Sequence, residues 1–176
     1  MRRRTMLALT AGLCLTAAGV LGATGLASWA EEENNPAELA AALGGAKLPL
    51  EQGLKAGARE GTPISGKYEI EDDALQLSVY TMKGNQFSEV IVDHMSGAIR
   101  KAERITESED LSDAKAQSEA IAKAKLPLDQ AVASAVQAND GYRAVKVVAM
   151  LKDGAPVAEI TLMKNAEVKT VTEKLD

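Results

Sequence analysis

From Lys47 onward the chain switches between two periodicities. After Pro49, Leu50, Leu54 and Ala58 recur every four residues, and after Pro127, Leu128, Val132 and Val136 do the same. Each set predicts a short helix with one apolar stripe. Proline suits a first turn, where its missing N–H would have had no intrahelical acceptor. Gly61 and Asn139-Asp140-Gly141 offer residues able to take the left-handed conformation and so predict where the helices end.

Beyond each helix the period falls to two, as in strands with one buried face. The first set reads as a strand at Lys67 to Glu71, a turn at Asp72-Asp73, a strand carrying Leu75, Leu77 and Val79, and a hairpin at Lys83-Gly84-Asn85. A strand through Val90 and Val92, a turn at Ser96-Gly97 and a last strand near Ile99 complete it. The second set gives a strand through Val145, Val147 and Ala149, a hairpin at Lys152-Asp153-Gly154, a strand with Val157, Ile160 and Leu162, a turn at Lys164-Asn165 and a strand around Val168 to Val171. Connections this short require antiparallel neighbours. The expected class is α+β, each helix laid on a small antiparallel sheet, with Leu50, Leu54, Leu128 and Val132 facing the sheets.

The two sets share a phrase. ALGGAKLPLEQ, from Ala42 to Gln52, aligns without gaps to AIAKAKLPLDQ, from Ala120 to Gln130, with seven of eleven positions identical and an offset of 125 − 47 = 78 residues. This predicts two tandem repeats, residues 47–107 and 125–176, the second degenerate. A connecting helix over 108–124 joins them, with Ser and Asp at its start, acids in its first turn and lysines at its end, in agreement with the helix dipole. Residues 31–46 form an N-terminal segment with a shorter helix at Pro36 to Leu43. A lone three-stranded sheet with one helix barely keeps a dry core, so the repeats should pack together.

Residues 1–30 belong to no repeat. Three arginines, a charge-free apolar run and Ser28-Trp29-Ala30 predict an export signal cleaved between Ala30 and Glu31. An uncleaved anchor is the alternative, since about 20 apolar residues span a bilayer; richness in Gly, Ala and Thr weighs against it. Arg3-Arg4-Thr5-Met6-Leu7 is similar to the start of a twin-arginine signal, and the general secretory route stays open beside it. Bulky Leu13 beside Cys14 argues against a lipoprotein site. The exported chain of 176 − 30 = 146 residues has no cysteine and a formal charge of 17 − 25 = −8. That charge disfavours nucleic acid and anionic membrane as partners, both of which need a basic face. The expected location is periplasmic or secreted, without membrane insertion after cleavage.

Catalytic patterns are missing from this sequence. His94 is the single histidine, and with Asp93 it supplies too few ligands for zinc. A strand-end histidine exposed beside its turn is the simpler reading. Glu69-Glu71-Asp72-Asp73 and Glu107-Glu109-Asp110-Asp113 lack the spacing of a calcium loop and read as solvated turn and helix-start acids. There is no Gly-x-Ser-x-Gly elbow and no phosphate loop. Tyr68, Tyr80, Phe87 and Tyr142 are too sparse for a stacking platform. The expectation is a protein that is not an enzyme and has no cofactor and no metal.

A helix followed by antiparallel strands, with Val92-Asp93-His94-Met95-Ser96-Gly97-Ala98-Ile99 closing the sheet, resembles the PepSY domain family over Lys47 to Arg104 and, through the repeat, Lys125 to Leu175. Leu162-Met163-Lys164-Asn165-Ala166-Glu167-Val168 departs from that pattern, having neither its Asp nor its Gly. The resemblance implies a peptidase-binding or peptidase-restraining module in the cell envelope, with a protein partner and no catalytic residues to carry over. Open sheets have edges that pair with extended peptides, so the hairpin from Val90 to Arg104 is the expected contact region, comprising Val90, Val92, Asp93, His94, Gly97 and Ile99. Charged edge strands are also a usual protection against unwanted pairing, and that reading of the same residues stands ahead of the contact one. A periplasmic carrier or sensor of a small ligand or metal, using a cleft between the repeats, and a structural envelope protein are the other readings.

Overall fold

The computed structural model describes residues 35–176. The expected export segment, with Cys14 and the Ala30–Glu31 cleavage site, lies outside the described residues. In chain order the elements are α1 (Pro36–Leu43), α2 (Leu50–Gly57), β1 (Thr62–Glu71), β2 (Ala74–Lys83), β3 (Gln86–Val92), β4 (Ile99–Arg104), α3 (Ser108–Lys123), α4 (Leu128–Gln137), β5 (Arg143–Lys152), β6 (Ala155–Lys164) and β7 (Glu167–Lys174). The class is α+β: the described residues form four helices and one antiparallel seven-stranded sheet ordered β4-β3-β2-β1-β5-β6-β7.

The hairpins form where the sequence supplies left-handed residues. Asp72 and Asp73 have φ of 49° and 60°, and Asp153 and Gly154 have 52° and 80°. Positive φ at both central positions makes type I′ turns, whose twist matches that of the strands they join. Two such wings meet at a narrow seam, where β1 pairs with β5 through Ser65–Val148, Gly66–Val147 and Lys67–Lys146. The expected packing of the two sets is therefore one continuous sheet.

The stripes of the two proline-led helices fill the main core. Leu50, Leu54, Leu128 and Val132 are all buried, among Leu77, Val79, Val90, Val147 and Ile160. Two glycines in α2 set how closely it lies on the sheet. A Cβ at Gly53 would stand 2.6 Å from Leu77 Cδ2, and one at Gly57 would stand 2.6 Å from Val79 Cγ1. A smaller cluster of Ile64, Phe87, Ile105 and Ala114 lies elsewhere. Met82 pairs with Phe87 three places along from the Val79–Val90 pair, so these side chains point to the opposite face of the sheet. Ala114 and Leu111 of α3 cover them, which puts the first half of α3 across that second face.

Several expectations need correction. β1 begins at Thr62, five residues before the predicted start at Lys67, because a bulge between Pro63 and Ser65 breaks the alternation while Ile64 is fully buried. α2 ends at Gly57 with Ala58 exposed at its cap, so neither Ala58 nor Gly61 does what the spacing predicts. Gly61 instead lets the chain pass Met82, whose carbonyl oxygen would lie 2.6 Å from an added Cβ. Gly141 does take the left-handed conformation expected of it, at φ 76°. Val136 is only half-buried. α3 is preceded by Glu107 and has no side-chain cap, although acids do occupy its first turn and Lys123 its last. Leu162 to Val168 crosses the two-residue turn between β6 and β7, unlike the longer β3–β4 connection from Asp93 to Ala98 that it is set against.

Candidate functional site

The β3–β4 connection is built by one carboxylate. Asp93 Oδ1 accepts from the backbone N–H of Met95 at 3.0 Å and of Ser96 at 2.8 Å, and from the Ser96 hydroxyl at 3.0 Å. Its Oδ2 accepts from Arg100 Nε at 2.7 Å and pairs with the same guanidinium through a second nitrogen. These donors hold the Asp93 carboxyl well below the usual carboxylate range, the Ser96 N–H first among them. Gly97, at φ 74°, closes the turn by donating to the Asp93 carbonyl at 2.8 Å. Both oxygens of the Asp93 carboxylate are thus taken.

His94 is half-buried rather than exposed, and its Nδ1 has no protein partner among the described residues. Its work is done by the backbone. The His94 carbonyl accepts from the N–H groups of Lys47 at 3.1 Å and Leu48 at 2.9 Å, seating the start of α2 on the end of the sheet. At the other end the Leu175 carbonyl accepts from Lys125 at 2.6 Å and Leu126 at 2.9 Å. The repeated Lys-Leu-Pro-Leu phrase is in both places the joint between a helix and a sheet end. Tyr68 strengthens the first joint by donating to the Leu48 carbonyl, with the Arg143 guanidinium 5.5 Å from its ring centre. Burial pushes the Tyr68 hydroxyl up to about 12.

Of the contact residues expected on the hairpin, Val90 and Val92 turn into the core, Gly97 is buried and Ile99 is half-buried. What the hairpin offers a partner is β4, an edge strand exposed from Arg100 to Arg104. Beside it a polar trough of about 630 Å³ opens over β1 to β4, lined by Glu69, Tyr80, Glu89, Ile91, Arg100 and Lys101 among others. Its floor is tied together. Glu69, which is buried and not a solvated turn acid, accepts from the Ser78 hydroxyl at 2.8 Å and pairs with Lys67 at 2.5 Å; Tyr80 donates to Glu89 at 3.2 Å. Asp113 is likewise buried, and desolvation, then Glu109 and Asp110, raise its carboxyl above the usual range.

A second cleft of about 760 Å³ lies where the end of α2 faces the α3–α4 connection. Leu54, Met82 and Leu126 give it apolar walls, and Lys55, Arg59, Lys83 and Lys125 outnumber Glu60 and Asp129 around it. Both sites depend on pairings across distant segments, so sequence spacing does not name the residues that line them. Among the described residues no cluster of three or more His, Cys, Asp or Glu side chains is placed to hold a metal ion. None of the helices among them is long and apolar enough to cross a membrane.

No family model matches the chain, and no curated protein does. Among solved structures it is similar to a Clostridium difficile 630 protein described as a candidate lipoprotein, at 14% identity and a TM-score of 0.40, covering 73% of this chain and 95% of that one.

Proposed function

We propose that the chain is an exported, non-enzymatic binding module of PepSY type, made of two tandem repeats, which restrains a peptidase of the cell envelope by taking an extended segment of it along β4. The observation that carries this reading is an edge strand uncovered among the described residues beside a polar trough, in which Glu69, Tyr80 and Glu89 already have partners within the chain.

The repeat is supported by arithmetic. The β1–β2 and β5–β6 turns are 153 − 72 = 81 residues apart, and the β2–β3 and β6–β7 turns are 165 − 84 = 81 apart. The helix offset of 78 therefore grows by three residues between helix and strand. Under the offset of 81 the seam pairs Gly66 with its own counterpart Val147, and the flanking pairs Ser65–Val148 and Lys67–Lys146 exchange roles, as a two-fold axis through the seam requires. His94 and Leu175, which hold the two helix starts, are also 81 apart. Among the described residues β4 has no counterpart.

The test is capture of envelope peptidases on immobilised protein, with Ala102→Pro and Arg104→Pro, the positions whose N–H groups alternate outward from β3, introduced singly and only variants that melt like the parent retained. Proline removes one edge N–H at a time. The expected result is loss of a captured peptidase, and of its inhibition, in at least one folded variant. Capture by both folded variants equal to the parent's, or no peptidase captured by the parent, sinks the reading. The apolar, cation-rimmed cleft favours a second reading, a carrier of a small anionic ligand; native mass spectrometry of protein isolated from the envelope would show a bound mass.

A further inference from the structure

β7 closes the sheet on the side opposite β4, and its outer edge pairs with no other strand among the described residues. Its sequence, EVKTVTEK, alternates charge along one strand, and it carries Val168, 43% exposed, one of two large apolar residues left in the open among the described residues. Near its start the Tyr142 hydroxyl donates to Glu167 at 2.5 Å, while Lys169 lies 3.9 Å from the Tyr142 ring centre. Glu167 thus has a partner within the chain, and Lys169 is held in place on its face.

An edge strand can pair with its own copy about a two-fold axis perpendicular to the sheet. Such an axis leaves each side chain on its own face, so only residues of one face oppose each other and the axis must pass through a residue. That leaves few registers. Centred on Thr170, β7 sets Glu167 against Glu173, and centred on Lys169 it sets that lysine against itself. Centred on Thr172 it joins only five residues. Centred on Val171 it joins seven, with Lys169 opposite Glu173 twice, Thr170 opposite Thr172 twice, Val168 against the stem of Lys174 twice, and Val171 against itself. Opposite charges, threonine pairs and apolar pairs are the cross-strand combinations that stabilise an antiparallel ladder. β4 fails the same test. Centred on Ala102 it sets Arg100 against Arg104, and centred on Lys101 or Glu103 it sets a charge against itself.

We propose that β7 is a self-recognition edge, through which two copies of the chain join into one continuous sheet in the register centred on Val171, leaving β4 free at both ends. The partner is a second copy of this chain, recognised by charge order along a strand.

Sedimentation equilibrium from micromolar to millimolar protein tests this, using Lys169→Glu, Glu173→Lys and the double exchange, each checked for parental folding by circular dichroism. The parent should dimerise. Each single exchange, which turns two attractive contacts per dimer into two repulsive ones, should weaken the dimer about tenfold or more. The double exchange should restore it. In a Cys14→Ser background, Val171→Cys should oxidise to a covalent dimer and Thr172→Cys should not. Directly opposed residues of an antiparallel pair have Cα atoms about 4.5–5.5 Å apart, a span that a disulfide bridges. A parent monomeric at every concentration overturns the proposal. So does a dimer indifferent to the single exchanges, a double exchange that stays weak, or cross-linking as ready at residue 172 as at 171.

Discussion

Replacing Gly57 by alanine sets two effects of known sign against each other. In a helix the change is favourable by about 1 kcal/mol, because alanine loses less backbone entropy than glycine. Against it, the new Cβ would stand 2.6 Å from Val79 Cγ1 and 2.8 Å from Val79 Cβ. Val79 is fully buried, β-branched and therefore stiff, and held by pairing to both Gly66 and Val90. Overpacking of this kind costs about 1–3 kcal/mol, so Gly57→Ala should lose about 1 kcal/mol net. Gly53 makes the contrast. Its Cβ would meet the tip of the flexible Leu77 side chain, which can swing away, so Gly53→Ala should fall within about 0.5 kcal/mol of the parent. In α4 the matching positions are Ala131 and Ala135, both fully buried, so a helix with Cβ atoms there stands on its part of the sheet without conflict. Urea unfolding monitored by circular dichroism measures both: at unchanged slope the Gly57→Ala midpoint should drop by about 0.5–1 M. A gain in stability for Gly57→Ala, or a larger loss for Gly53→Ala, would refute the packing argument.

Three further outcomes are expected. Leu54→Ala, at a residue 1% exposed, should cost about 2–5 kcal/mol, and Val132→Ala should also lower the melting temperature; a silent change at either would mean its helix does not pack as described. The raised Tyr68 hydroxyl means that the folded chain holds this proton more tightly than the unfolded chain, whose value is about 10. Its stabilisation is complete below pH 10 and lost as pH climbs to about 12, on the order of 2–3 kcal/mol over those two units. Tyr68→Phe should flatten that part of an alkaline unfolding profile, and a parallel decline in parent and variant would exclude it. For Asp93 the sign is opposite. Its depressed carboxyl stabilises the fold above the ordinary carboxylate range and loses that effect as pH falls, so Asp93→Asn should melt lower than the parent at neutral pH, with the gap closing in acid. A gap independent of pH would assign the loss to shape and not charge.

Hairpins and helices were legible because each is decided within a dozen residues. Asp153-Gly154 and Gly84-Asn85 between alternating runs admit little else, and the stripes at Leu50-Leu54 and Leu128-Val132 name their buried faces directly. The start of β1 was hidden because the bulge at Pro63 to Ser65 shifts the alternation, turning Ile64 from a strand signal into noise. The seam was hidden for a different reason. Three residue pairs joining segments about 80 residues apart leave no periodic trace, and glycine at Gly66 looks like a weakness in a strand until Leu54 is seen 3.0 Å from where its Cβ would be. Glu69 and Asp113 misled because runs of acids look solvated, whereas which member of a run turns inward depends on the face it occupies. The contact hairpin was only half legible: its edge position follows from chain order, but Val90 and Val92 alternate into the core and leave β4 as the usable part.

The carbonyl anchors at His94 and Leu175 give the molecule a built-in timetable. A chain that emerges from its N-terminus can lock α2 as soon as His94 has appeared, while α4 must wait for a residue 175 − 94 = 81 positions later. At synthesis rates of about 5–20 residues per second that is a delay of roughly 4–16 seconds, far longer than helices and hairpins need to form. During that interval the first wing has its helix seated and its own edge β1 still bare, since β5 has not yet arrived to cover it. The interval is when β1 is open to the wrong strand, and Gly66 at its centre, a poor strand residue, makes the bare edge a weak template until Val147 comes to meet it.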